Sequence, residues 1–164
     1  MLKTIERINS LLEKQDYCTL QEAKTNIDGK LSGFYWIYTK LPLASFIKAP
    51  KPINPKHVDL SLMANTHQNL KWITKQNGSE YWCIYNGKGE RLNKRMTAAF
   101  TNSDGETGTT ALMRCFEEND FKVKYIICSS VNSSHGVKEE YSSLERDLER
   151  VWRLNYTWPF LCRT

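Results

Sequence analysis

The stretch of this chain richest in chemistry runs Tyr85-Asn-Gly-Lys-Gly-Glu-Arg-Leu-Asn-Lys-Arg95. An apolar, aromatic segment ends in a tyrosine, a Gly-x-Gly sequence follows, and a basic amphipathic segment begins. Glycines permit a tight turn and close backbone approach. The amides that open a helix, together with a basic flank, favour an anion such as phosphate. Leu92, Met96, Ala99 and Phe100 make one apolar stripe at helical spacing, with Arg91, Lys94 and Arg95 along its side. Arg95 falls three residues after Leu92 and one before Met96. That spacing sets it at the edge of the buried stripe, its stem held and its head reaching outward.

The elements that must position these residues follow from periodicity. Leu2, Ile5, Ile8, Leu11 and Leu12 predict an amphipathic helix over 2–14, within a helical N-terminal extension spanning 1–30. Gly33-Phe-Tyr-Trp-Ile-Tyr-Thr39 is aromatic and β-branched and predicts a strand, as does Tyr81-Trp-Cys-Ile-Tyr85. Between them, residues 40–80 form an insertion. Its first part, Lys48-Ala-Pro-Lys-Pro-Ile-Asn-Pro-Lys56, holds three of the five prolines and must be loop. A helix over about 59–75 follows from Leu62, Met63, Thr66, Leu70 and Ile73.

Beyond the helix at 90–100, Thr101–Glu106 reads as loop and Leu112, Cys115 and Phe116 mark a short helix. Phe121–Cys128 is a third strand, 129–136 a polar loop, and 142–154 a last helix burying Leu144, Leu148, Val151 and Trp152. The tail from Tyr156 to Cys162 is too apolar to hang free. The expected architecture is α/β (α+β): a small three-stranded antiparallel sheet flanked by helices, with a loop and helix inserted between the first two strands.

Composition bounds the function classes. At 164 residues, the chain fits a single domain spanning 1–164. Forty per cent hydrophobic and 12 % aromatic residues supply a core and argue against wholesale disorder. No apolar run approaches the roughly 20 residues that span a bilayer, so no membrane partner is expected. The first residues carry no apolar targeting segment. Five scattered cysteines, none in a Cys-x-x-Cys pair, suit buried thiols in a reducing cytoplasm better than a zinc or disulfide framework. His57, His67 and His135 lack a ligand partner at metal spacing and read as surface residues, while Trp72, Trp152 and Trp158 read as anchors in the core or at an interface. A net charge of +5 is compatible with a polyanionic partner.

Gly33-Phe34-Tyr35 on the first strand resembles the GIY element of the GIY-YIG nucleases, and Tyr85-Asn86-Gly87 on the second resembles their YIG element. The Lys-Gly-x-x-Leu-x-Lys-Arg run is similar to that family's continuation, and Arg95 falls where its catalytic arginine is expected. Leu144-Glu145-Arg146-Asp147-Leu148 resembles the family's acidic helix. The resemblance covers roughly 33–39 and 81–162 and points to a restriction-endonuclease-like member.

The resemblance implies hydrolysis of a DNA phosphodiester by in-line attack of water with one divalent metal, Mg²⁺ or Mn²⁺. A glutamate gives hard oxygen ligation to such an ion. Glu145 is the expected ligand from its spacing to Asn155 and Trp158-Pro159, with Glu149 on the same helix flank as the alternative. Ser142-x-x-Glu145 also fits a capping box, which would give Glu145 a purely local role. Arg95 would neutralise charge on the reacting phosphate with an always-protonated fork. Tyr35 or Tyr85 would orient or deprotonate the water; free tyrosine has a pKa of about 10, so a cation is needed nearby, and Lys88 is the candidate. Arg91, Lys94, Lys51, Lys56 and Asn155 are the expected nucleic-acid contacts. The insertion would serve either that purpose or as scaffold, and symmetric cutting would favour a homodimer.

Two departures stand out. Asn86 occupies a position that is usually aliphatic in the family, and Ala99 stands where some members place a histidine. They keep open a non-catalytic nucleic-acid-binding module on the same scaffold, and beyond it an interaction domain that binds no nucleic acid.

Overall fold

The computed structural model describes residues 2–74, 80–103, 105–129 and 141–163, with the side chains of the last helix described from Leu148 onward. A three-stranded sheet of order β2-β1-β3 lies at its centre, formed by β1 (Gly33–Thr39), β2 (Trp82–Gly89) and β3 (Phe121–Ile127). Both neighbours run antiparallel to β1. Helices flank the sheet: α1 (Leu2–Lys14), α2 (Leu20–Asn26), α3 (Leu43–Ile47), α4 (Leu60–His67), α5 (Leu92–Thr101) and α6 (Tyr141–Asn155). The fold is α+β, as the order of periodicities predicts.

β1 reads as a nearly unbroken apolar run because both of its faces are covered. Phe34 and Trp36 point to one side and pack with Ile5, Ile8 and Leu12 of α1 and Leu148 and Trp152 of α6. Tyr35 and Ile37 point to the other, into a larger core containing Leu92 and Met96 of α5, Phe46 of α3 and the tail residues Phe160 and Leu161. Each large aliphatic side chain so buried contributes about 1.5–3 kcal/mol. Ile5, Ile8 and Leu12 therefore make α1 a structural layer of the sheet rather than an appendage.

Several boundaries differ from expectation. The Gly-x-Gly stretch is strand, not turn: β2 continues to Gly89, pairing Gly87 with Tyr35 and Gly89 with Gly33. The helix expected over 59–75 stops at His67, because Thr74 N donates to Trp158 O at 2.7 Å and Ile73 bridges to Trp158. The C-terminal tail thus takes up the backbone that would have continued α4. Trp72 is exposed, whereas Trp152 is core. α2 follows α1 within the N-terminal extension and is held by a capping box between Thr19 and Glu22. The short helix near 112–116 is a single 3₁₀ turn, Leu112–Arg114. His67 is not a free surface group, since its Nδ1 lies 2.6 Å from Phe160 O. The loop expected at 129–136 lies, beyond Ser129, outside the described residues, His135 included.

Candidate active site

β2 is the edge strand on one side of the sheet, and α5, α6 and the tail gather around its C-terminal half. Tyr35 on β1 is fully buried, with its ring laid across the β2 backbone at Gly87. A methyl group at Gly87 would stand 2.7 Å from the Tyr35 hydroxyl, so the glycine serves close approach. Gly89 does the same for α5: a methyl there would come 2.7 Å from Arg95 Cβ. Two apart on one strand, these glycines let Tyr35 and Arg95 approach the same face of β2.

The Tyr35 and Tyr85 rings lie 5.9 Å apart, close enough for each phenol to act on the other's titration. Burial holds both protonated. It pushes Tyr35 far above the ordinary tyrosine value, and the neighbouring Tyr85 adds to this. Tyr85 is pushed up to about 12, against the opposing pull of Arg95 and of the Tyr35 hydroxyl. Tyr85 is therefore the readier of the two to give up its proton, and it alone of the pair lines the adjoining cavity.

Arg95 is the cation beside both tyrosines. It also pairs with Glu106 at 3.6 Å, its side chain being 30 % exposed. Burial would lower its pKa, but Tyr35, Tyr85, Glu106 and Glu149 outweigh that and raise it. Arg95 thus acts as a cation on both tyrosines, and Lys88 acts on Glu149. Among the described residues, the carboxylate that acts on both tyrosines is that of Glu149, on α6. Burial raises its pKa, opposed by Arg153, Lys88, Arg95 and Arg150 in that order. Glu145 sits one turn earlier in α6, and its side chain lies outside the described residues, as does the proposed cap at Ser142.

Arg153, one turn after Glu149 and only 7 % exposed, pairs with the Glu149 carboxylate. Its Nε donates to Asn86 Oδ1 at 2.6 Å, Nη2 to Asn86 O at 3.2 Å, and Nη1 to Arg163 O at 3.1 Å. Trp158 stacks beneath the guanidinium at 5.6 Å. The buried Asn86 also meets the Cys162 thiol, whose sulfur lies 3.2 Å from Oδ1. Arg153 and Cys162 were not anticipated as site residues. The signal available in the sequence was the Glu149–Arg153 spacing of four along a helix.

A cavity of about 200 Å³ opens beside this network, lined by Tyr85, Glu149, Arg150, Arg153 and Cys162, with Val58 of the insertion as one wall. The Tyr85 phenol, the Glu149 carboxylate and the Arg150, Arg153 and Arg163 guanidiniums on its wall suit an anion of phosphate size. Arg91 and Lys94 lie exposed along α5, and Lys51 and Lys56 along the proline loop. Asn155 does not join the site; its Nδ2 donates to Val151 O within α6. Among the described residues, no three His, Cys, Asp or Glu gather to hold a metal. Comparison with family models, curated proteins and solved structures finds no match for this chain.

Proposed function

We propose that this chain is a metal-dependent endonuclease that hydrolyses DNA phosphodiester bonds, a restriction-type enzyme resembling the GIY-YIG nucleases. One observation carries the reading. Tyr35, Tyr85, Arg95 and Glu149 come from four different elements and converge beside one cavity rimmed with arginines.

A phosphate drawn in by Arg150, Arg153 and Arg163 would lie against the Tyr85 hydroxyl. Tyr85, once its own proton has passed to solvent, orients a water for in-line attack and takes that water's proton; Arg95 and the Tyr35 hydroxyl both favour that phenolate. The water oxygen bonds to phosphorus while the bond to the leaving oxygen breaks. Arg95 neutralises the charge gathering on the phosphoryl oxygens. Glu149 and Tyr85 offer hard oxygen donors on the cavity wall, which fits Mg²⁺ or Mn²⁺ retaining several waters. Such an ion, when bound, supplies Lewis-acid polarisation of a phosphoryl oxygen. Symmetric cutting of duplex DNA would pair two copies about a two-fold axis. All five cysteines are free thiols, which supports a reducing, cytoplasmic setting.

The test is plasmid cleavage by purified protein with Mg²⁺ or Mn²⁺, with EDTA, and with Arg95→Ala. The expected result is cleavage that EDTA abolishes and that the arginine variant slows by about a hundredfold or more. Cleavage in EDTA, or full activity of Arg95→Ala, refutes the mechanism. The hold of Arg153 on the Glu149 carboxylate favours one rival, a nucleic-acid-binding module without hydrolysis. It predicts salt-dependent binding with no scission under either metal.

A further inference from the structure

The insertion carries a finger. Residues 50–58 leave the body and return to it at a neck stapled by one side chain: Arg114 donates through Nη1 to Pro50 O at 2.9 Å and through Nη2 to Val58 O at 2.6 Å. Loops closed at the neck in this way are compact Ω-loops, which frequently carry function. Inside it, Asn54 sets the turn, Oδ1 accepting from Lys56 N at 2.9 Å and its carbonyl from His57 N at 3.0 Å. Lys56 O accepts from Gly108 N, and Val58 N donates to Thr109 O, both at 2.8 Å. Pro50, Pro52 and Pro55 fix the backbone further. At the tip of this rigid frame Ile53 is completely exposed.

Nothing in the fold needs Ile53 there, and an isolated exposed apolar residue is by itself unremarkable. Its surroundings give it meaning. Lys51 and Lys56 are exposed on either side, and residues 48–58 contain no acidic residue. Val58, at the base of the finger, walls the cavity that holds Tyr85, Glu149 and the arginines. Val58 is five chain steps from Ile53, so the tip stands no more than about 18 Å away. That is about half the roughly 34 Å helical turn of B-DNA, so one duplex can reach both.

We propose that this Ω-loop is a DNA-gripping finger that inserts Ile53 between base pairs, with Lys51 and Lys56 on the flanking phosphates. The inference rests on the proposed action on DNA and adds its mode of grip. Apolar wedges of this kind unstack a base step and bend the duplex. A membrane surface or a protein partner would require a wider apolar patch, and Ile53 is the one large apolar side chain the loop exposes.

The test compares wild type with Ile53→Leu, Ile53→Ser and Lys51→Ala/Lys56→Ala in EDTA, where cleavage cannot interfere. Anisotropy on a mixed-sequence duplex reads affinity. Relaxation of closed plasmid by a metal-independent topoisomerase in the presence of each protein reads unwinding. Ile53→Ser should bind about tenfold more weakly and lose the shift in linking number, while Ile53→Leu retains both. The double lysine variant should lower the salt dependence of binding by about two phosphate contacts. Because Ile53 touches nothing that holds the fold, an unchanged melting temperature confirms that each variant is intact. Equal unwinding by wild type and Ile53→Ser overturns the finger, even if plasmid is cleaved with Mg²⁺. Unwinding that depends on Ile53 without cleavage under any metal leaves the finger standing and overturns the nuclease reading. No binding to DNA, or binding to anionic vesicles instead, overturns both.

Discussion

Replacing Arg153 tests the most consequential packing in the site, and does so without assuming any activity. The guanidinium is 93 % shielded, since its side chain is only 7 % exposed, and the Glu149 carboxylate beside it is 14 % exposed. Arg153→Met keeps most of the volume and the Trp158 contact but leaves the carboxylate buried without its counter-ion. It also strips the donors from Asn86 Oδ1 and from the Asn86 and Arg163 carbonyls. Breaking a buried pair from one side costs about 3–5 kcal/mol. Glu149→Leu is milder, about 1–3 kcal/mol, because the guanidinium keeps three neutral acceptors. The double variant removes both charges, and apolar replacement of a whole buried pair is often close to neutral. With the double variant close to neutral, the two losses should therefore fall short of adding by about 4 kcal/mol or more, the low end of their sum. Urea denaturation of all four proteins reads this. With a slope near 2 kcal/mol/M, a loss of about 4 kcal/mol lowers the midpoint by about 2 M. Losses that add within about 0.5 kcal/mol, or a cost below about 1 kcal/mol for Arg153→Met, refute the picture of a buried, coupled clamp.

Two other outcomes follow from the same geometry. Gly87→Ala places a methyl 2.7 Å from the Tyr35 hydroxyl and 2.8 Å from its ring carbons, with no flexible neighbour to yield. It should cost about 1–3 kcal/mol by overpacking, read as a lowered melting temperature, whereas Gly29→Ala, with nothing within 4 Å, should leave it unchanged. Thr19→Ala removes the side-chain cap of α2 and should cost about 1 kcal/mol. The same cap carries a pH signature: the Thr19 amide, then its hydroxyl, hold the Glu22 carboxyl below the usual glutamate range. A depressed folded value means the stabilisation is present above the ordinary pKa of about 4.3 and is lost as pH falls through the folded value. A denaturation series across that acid range should show the loss in wild type and not in Glu22→Gln.

The parts of this fold that were legible in the sequence are those whose signal is local. Each strand announces itself through aromatic and β-branched residues, and α1 through its apolar stripe. The Tyr85–Arg95 segment was legible because its chemistry is contiguous. What escaped depends on distant partners. Gly87 and Gly89 look like turn residues until the β1 register pairs them with Tyr35 and Gly33. α4 looks twice as long until the tail binds Thr74 and Ile73. Glu145 and Glu149 share one flank of α6, so their spacing does not choose between them; of the two, Glu149 is the one whose side chain is described, and it acts on both tyrosines. α2 is too short for periodicity to reveal, and its cap, Thr19-x-x-Glu22, was the one available sign.

Asn86, a departure from the nuclease pattern when taken alone, is explained by Arg153. An asparagine on a strand that is 1 % exposed needs a donor for Oδ1, and a buried guanidinium needs acceptors for its fork. Neither residue is tolerable in that core without the other, so the pair must be accommodated together. Arg153 then reaches further than a simple ion pair. It ties α6 to β2 through Asn86, to the tail through Arg163 O and the Trp158 ring, and to Glu149 on its own helix. Every one of those groups borders or supports the cavity beside Tyr85. With asparagine there, directional bonds tie α6, and with it Glu149, to β2.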